Sequence, residues 1–435
     1  MFGLARPALL AVAAAWLGWG FDVFDALLFN FVAPNCIPTL LGLEIGSPEA
    51  AGPVRFWTGV LTSLLLVGWA LGGILFGVIA DRFGRTRTLL FTMVLYSVGT
   101  AACAFAPSLE WLIVFRAIAS LGIGGEWAAG ATLVAEAVPE DKRVEFGVLL
   151  QTASPIFLFL AIGLNYLIAG VLMPDQPELS WRVVFLFGLL PAAVVFWFRA
   201  RLQEPARWEH AAGHERARIR DLFTPELRRI TLGGFLLSFV VLVTWWSCNA
   251  FISVVATGLA QASAAADGLD RSATLALSES WKFQANAWFN LGGIIGGLLI
   301  IPIAARIGRK PMFAGYLIAC VLAIVCTFAF DIPAAVRIAL YFTVGLSVYG
   351  LACVFPFYLP ELFPTKLRAT GAGFCYNAGR FVAAAGPWVV GAIAVQGAGG
   401  LPKALEVLSF VALAPLLGLL VLPWVIETRG RRLVD

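Results

Sequence analysis

Long apolar runs separated by short polar breaks fill the chain from end to end. Leu9–Ala33, Phe56–Ala80 and Thr88–Ala106 are the first three, each close to or above the roughly 20 apolar residues that an α-helix needs to cross a bilayer. Followed to the C-terminus, the pattern predicts twelve spans, at 9–33, 56–80, 88–106, 109–135, 144–172, 181–199, 230–256, 281–304, 311–330, 333–359, 369–395 and 404–426. In lipid only helices and closed barrels satisfy their own backbone. These runs are too long and too evenly apolar for barrel strands, so the expected fold is all-α. The first run is not read as a removable leader. It is too long, it carries Asp22 and Asp25, and no small-residue cleavage site follows it.

Composition sharpens this picture. Of 435 residues, 60% are hydrophobic and 13% charged, with a mean hydropathy of +0.88, whereas soluble domains carry about 25% charge. Most of the surface must therefore face lipid. The cysteines, Cys36, Cys103, Cys248, Cys320, Cys326, Cys353 and Cys375, show neither metal-ligand nor disulfide-framework spacing and read as small packed residues. His210 and His214 share one hydrophilic segment, which leaves no histidine in a span. No metal and no cofactor is expected beyond protons as a coupling ion. No nucleophile–base pair appears, so an enzyme is not expected.

Lysine and arginine set the orientation. One family of breaks holds 22 of them: Arg6; Arg82, Arg85 and Arg87; Lys142 and Arg143; eight arginines in 199–229; Arg306, Arg309 and Lys310; Lys366 and Arg368; Arg429, Arg431 and Arg432. The opposite family holds six: Arg55, Arg182, Arg271, Lys282, Arg337 and Lys403. Both termini and the 199–229 segment are thus expected in the cytoplasm, with the protein in the plasma (inner) membrane. The net charge of +4 follows from this bias and does not point to nucleic acid.

The two halves resemble each other. GGILFGVIADRFGR, ending at Arg85, and GGLLIIPIAARIGR, ending at Arg309, lie 224 residues apart. Glu136, Pro139 and Arg143 recur as Glu361, Pro364 and Arg368 at an offset of 225. A parallel repeat of six spans points to a two-bundle transporter with its substrate near the midplane. The expected organisation is a first bundle at 1–198, a central linker at 199–229 and a second bundle at 230–435. Short glycine turns such as Gly84 force neighbouring helices together. Beside them, Asp81, Arg82, Arg85, Glu136 and Arg143 form one candidate cytoplasmic latch. Arg306, Arg309, Glu361 and Arg368 form its repeat, in which Ala305 replaces Asp81.

These motifs resemble the major facilitator superfamily along nearly the whole chain. Gly77 with Asp81-Arg82-Phe83-Gly84-Arg85 looks like its diagnostic loop. Arg116 followed by Gly122, Gly124 and Gly125 looks like its fourth-helix motif, with Ser120 where glycine is usual. Glu204-Pro205-Ala206-Arg207-Trp208 resembles the segment after the sixth helix of sugar and metabolite porters. Asp22 and Asp25, with Gly124-Gly125-Glu126-Trp127, resemble the proton symporters of organic anions, among them the metabolite, aromatic-acid and sialate symporters. Phosphate symporters share a similar acidic pair. The seventh span lacks a glutamine-rich sugar-porter pattern, and the fifth lacks the glycine-rich motif of drug antiporters.

Five charges lie inside spans: Asp22, Asp25, Arg116, Glu126 and Arg380. Each costs on the order of 3 kcal/mol at a helix centre, so each is expected to face the bundle interior, pair or titrate. Asp22 and Asp25 are three residues apart on one helix face. Two such carboxylates in low dielectric cannot both stay ionised cheaply, which makes a proton carrier. Arg116 is expected near the depth of Asp25, with Glu126 alongside as a further coupling residue. Arg380, near the midplane, offers a planar fork to a carboxylate. Trp245, Trp246, Asn249, Gln151, Gln284, Asn286 and Asn290 are further candidates for substrate contact. The expected function is uptake of a small organic anion with protons, by a monomer. A sugar or phosphate symporter, or an exporter, is the alternative. A non-transporting receptor or scaffold is the alternative of another class, disfavoured because the central segment is only 31 residues long.

Overall fold

A computed structural model describes residues 4–45, 47–189, 193, 201–211, 218–384 and 400–433. Among them every regular element is helical. The main helices are α1 (Arg6–Leu41), α2 (Pro48–Phe83), α3 (Arg85–Cys103), α4 (Leu109–Ala137), α5 (Arg143–Gln151), α6 (Ala153–Asn165) and α7 (Pro177–Leu186). There follow α8 (Arg228–Ala250), α9 (Ile252–Ala266), α10 (Arg271–Ile307), α11 (Arg309–Phe328), α12 (Ala334–Val344), α13 (Phe355–Leu362), α14 (Arg368–Asn377), α15 (Arg380–Ala383), α16 (Gly400–Val411) and α17 (Leu413–Val421).

Among the described residues nine helices are long and apolar enough to cross a membrane. Three expected spans account for the difference from twelve. Those at 181–199 and 369–395 run into residues outside the described set. The span at 88–106 is the 19-residue helix α3, whose Arg85, Arg87, Ser97 and four threonines dilute its apolar character. His214 and parts of the 199–229 segment also lie outside the described residues. Several helices exceed their expected bounds. The first continues past Ala33 through Pro34 and Pro38 to Leu41, where Gly42 takes φ 68° and closes the end. Large apolar side chains such as Phe105, at 71%, and Leu420, at 72%, are exposed. That is the surface of a protein solvated by hydrocarbon.

Two compact units emerge. One comprises residues 1–231, 356–384 and 431–435; the other comprises 232–355 and 385–430. Within the first, α2 and α4 pack backbone to backbone. A Cβ on Gly72 would lie 2.0 Å from the Leu121 carbonyl oxygen, and one on Gly124 would lie 2.2 Å from that of Trp69. Within the second, Gly296 and Gly292 bring α10 equally close to the carbonyls of Leu346 and Phe342, each at 2.0 Å. Gly72 and Gly296 are repeat mates, so the repeat extends to packing. Small residues at such crossings drive helix association where lipid removes the hydrophobic incentive.

Candidate functional site

Helix α1 places Asp22 and Asp25 in the first unit, with exposures of 0% and 1%. Three residues of helix rotate the two carboxylates by about 60° relative to each other, so they meet different neighbours. Asp25 has Thr100 of α3 and Arg116 of α4 around it. Arg116 donates to the backbone carbonyls of Asp25, at 3.3 Å, and Ala26, at 3.1 Å, and lies over the Phe29 ring. It therefore holds α1 by its main chain at the depth of Asp25. Glu126 is buried and accepts a 3.4 Å hydrogen bond from the Thr92 hydroxyl.

Arg380 is 2% exposed. Its guanidinium lies 4.2 Å from the Trp69 ring centre and 4.8 Å from that of Tyr376, and it donates to the side-chain oxygen of Asn377. Tyr376 in turn stacks on Trp127 at 3.8 Å, and Trp69 meets Trp19 at 6.0 Å. A cation clamped between aromatic faces gains attraction from both rings and keeps its direction fixed. Asp22 acts on this guanidinium electrostatically. Asp22 and Arg380, which belong to opposite halves of the repeat, lie in the same compact unit. Trp69, Tyr376 and Asn377 were not foreseen from the sequence. The tryptophan sits in an apolar run, where nothing distinguishes a wall of a site from packing.

The other candidates divide. Gln151 is buried in the first unit. In the second unit, Trp245 meets Trp246 edge-on at 4.8 Å and Tyr349 at 6.3 Å, and Asn249 is half-buried on the same helix. Gln284 is exposed and donates to Ser280 of its own helix. Asn286 and Asn290 donate to the carbonyls one turn back, Lys282 and Asn286.

The arginine-bearing end of the first unit forms a connected network. Arg85 bonds Asp81 at 3.0 Å and Glu136 at 3.1 Å. Arg368 bonds the same Glu136 oxygen at 2.7 Å. Arg143 reaches Glu361 at 3.4 Å. The repeat mates Glu136 and Glu361 thus each pair with the arginine of the opposite half. Asp81 also accepts from the backbone N–H groups of Ala369 and Thr370, the start of α14, where a carboxylate answers the free amides and the helix dipole. Arg82 and Arg306 are exposed.

Two further acids complete this region. Glu204 accepts from the N–H groups of Arg85, Thr86 and Arg87 and so caps α3. Arg207 of the same motif pairs with Glu140 at 3.2 Å, and the Trp208 indole donates to the Asp81 carbonyl. In the second unit, Glu427 caps α11 through Arg309 and Lys310. Glu427 was missed in the sequence, though its offset of 223 from Glu204 carries the signal. Gly84 at φ +110° and Gly308 at φ +93° make the turns. A Cβ there would fall 2.3 Å and 2.6 Å from the capping carboxylates.

Comparison with known proteins agrees with this geometry. The chain is 29% identical over 421 residues to a probable 4-methylmuconolactone transporter of Cupriavidus pinatubonensis, covering 96% of this chain and 90% of that protein. It is 28% identical over 417 residues to the sialic acid transporter NanX of Escherichia coli, covering 95% and 94%. The fold matches the proton:xylose symporter XylE of E. coli with a TM-score of 0.74 at 17% identity, over 98% of both chains. The relatives are transporters, not enzymes. Residues 8–387 match the family model of the Major Facilitator Superfamily, and the chain belongs to that superfamily.

Proposed function

We propose that this transporter takes up a small organic anion together with protons, by alternating access. The observation that carries the reading is Arg380, buried between Trp69 and Tyr376. A buried cation inside a spanning bundle is expensive. A guanidinium held in a fixed direction by two aromatic rings has the geometry to take a carboxylate by its fork. The likeness to transporters of sialic acid and of 4-methylmuconolactone supports this class of cargo. Asp22 and Asp25 handle the proton, with Arg116 fixing α1 beside Asp25 and Glu126 buried on the same helix as Arg116. Trp245, Trp246 and Asn249 are further proposed substrate contacts. Asp81, Arg85, Glu136, Arg143, Glu361 and Arg368 act as a latch at the cytoplasmic end, joined in this structure and broken when that end opens. The termini face the cytoplasm from the inner membrane.

Titration of purified protein with nicotinate, benzoate, sialic acid, xylose and phosphate tests the reading. A bound ligand stabilises by about 2.7 kcal/mol at a hundred times its Kd. Carboxylates should raise the melting temperature of the wild type and lose that effect in Arg380→Gln. Stabilisation by xylose or phosphate, equal in both proteins, would overturn the organic-anion reading.

A further inference from the structure

Arg380 follows a break in its helix. α14 ends at Asn377 and α15 starts at Arg380, with Ala378 and Gly379 in a turn between them. The regular ladder that would carry the direction of α14 through to Arg380 is interrupted there. Side chains supply the missing constraint.

Asn377 is fully buried, and both ends of its amide are engaged. Its Nδ2 donates to the Gly373 carbonyl one turn back, at 2.9 Å, and its Oδ1 accepts from Nη1 of Arg380. A guanidinium cannot accept and a carbonyl cannot donate, so the network admits only this orientation of the amide. Gly73 of α2 closes the site from the other side. A Cβ on Gly73 would lie 2.1 Å from Nδ2 and 2.2 Å from Cγ of Asn377, so the amide lies where a side chain from α2 would otherwise be. A Cβ on Gly373 would fall 2.6 Å from the Gly73 carbonyl oxygen, which makes the approach of α2 and α14 equally tight one turn away. All of these residues belong to the first compact unit.

Resting on the organic-anion reading, we propose that Asn377 is a positioning residue for Arg380: a neutral brace that aims the guanidinium at the substrate carboxylate without neutralising it. The rings and the amide restrict different freedoms. Trp69 and Tyr376, at 4.2 Å and 4.8 Å, hold the plane of the guanidinium. The bond to Asn377 fixes its rotation within that plane. With Nη1 engaged, the fork left for a carboxylate is the pair Nε and Nη2, and Nε has no hydrogen-bond partner among the described residues. Trp69, Tyr376 and Asn377 are all uncharged, so they direct the cation and leave its charge to the ligand. An aspartate at 377 would also accept from Nη1, but it would pair with the cation and compete with the substrate. An alanine would leave the guanidinium oriented by the rings alone.

Binding of nicotinate, benzoate and sialic acid to the purified protein tests the brace. Asn377→Ala should weaken those anions that bind the wild type by about tenfold, the worth of one hydrogen bond to a charged group. A loss of packing would lower affinity whatever stands at 380, so the deciding measurement is a double-mutant cycle. Lysine keeps the charge at 380 but has no fork to aim. Asn377→Ala should therefore weaken binding by about twofold or less in the Arg380→Lys background. The same tenfold loss in both backgrounds overturns the proposal. Asn377→Asp keeps the shape of the side chain and carries the test if Asn377→Ala does not fold. It should lose about a hundredfold in affinity, because Arg380 then has a counter-ion inside the protein. Anion binding by Asn377→Asp at wild-type strength overturns the proposal. If the wild type binds the anions and Asn377→Ala binds them equally well, the brace alone is refuted. If the wild type binds none of them, the organic-anion reading falls and the brace falls with it.

Discussion

Arg380 is the residue on which most of the account turns. Its charge is kept by lysine, but its fork and its flat contact with Trp69 and Tyr376 are not. Arg380→Lys should therefore weaken binding of a carboxylate by roughly 1.5–3 kcal/mol, about ten- to a hundredfold in Kd, while the melting temperature changes little. Isothermal titration with a bound carboxylate checks the first part and thermal unfolding the second. The charged residues of this site were legible in the sequence because a charge inside an apolar run has few reasons to exist. Asp22, Asp25, Arg116, Glu126 and Arg380 all proved buried. Trp69 and Tyr376 were not legible. Aromatic residues are common in spans, and only the fold brings these two to either side of one guanidinium. The spacing of Asp22 and Asp25 put them on one face, but not which neighbour each would meet. That depends on the packing of α2, α3 and the 376–380 segment around α1.

At the scale of elements, the starts of α3 and α11 follow one design. A positive-φ glycine makes the turn, and a distant glutamate accepts from the first free amides. Gly84→Ala would be strained at φ +110° and would drive its Cβ towards Glu204. It should cost roughly 1–3 kcal/mol in thermal or denaturant unfolding. Glu427 carries a pH signature. Partial burial pushes its carboxyl up, but the N–H groups of Arg309, Lys310 and Arg429, with the Arg309 charge, outweigh burial and hold it below its ordinary value. A carboxyl lowered in the folded state adds stability above its unfolded pKa, about 4.3 for glutamate, and loses it as pH falls through the folded value. Glu427→Gln should thus lower the melting temperature at neutral pH. The loss should be about 0.5–1 kcal/mol, small because solvent screens the group, and it should disappear in acid. A deficit that persists unchanged in acid would rule out the carboxylate as its source. Helix positions were largely legible from apolar runs. Their ends were less so, because prolines such as Pro34 and Pro38 do not stop α1 and hydropathy does not report capping.

At the scale of the whole molecule, the sequence repeat reappears as paired chemistry. Glu136 bonds Arg368, and Glu361 bonds Arg143, so each half of the repeat supplies an acid to an arginine of the other. The offset of 225 residues made these four visible, but not that the pairs would cross. Asp81 adds a tie to the start of α14 that Ala305 cannot reproduce. If this network latches the end, Asp81→Asn and Arg85→Ala should shift labelling of single cysteines placed at the two ends of the bundle. Substrate affinity in a conformationally fixed protein should hardly change. Unaltered labelling with a large loss of affinity would contradict the latch.

Transport itself is the central claim, and reconstitution measures it directly. Proteoliposomes with an alkaline interior and no membrane potential are given a radiolabelled carboxylate that stabilises the purified protein. Wild-type vesicles should concentrate it inside above the external level and lose it when a protonophore collapses the pH gradient. Asp25→Asn vesicles should equilibrate it without concentrating it, and should still exchange it in counterflow. Accumulation that ignores the pH gradient in the wild type, or that persists in Asp25→Asn, would contradict proton-coupled uptake through the acids of α1.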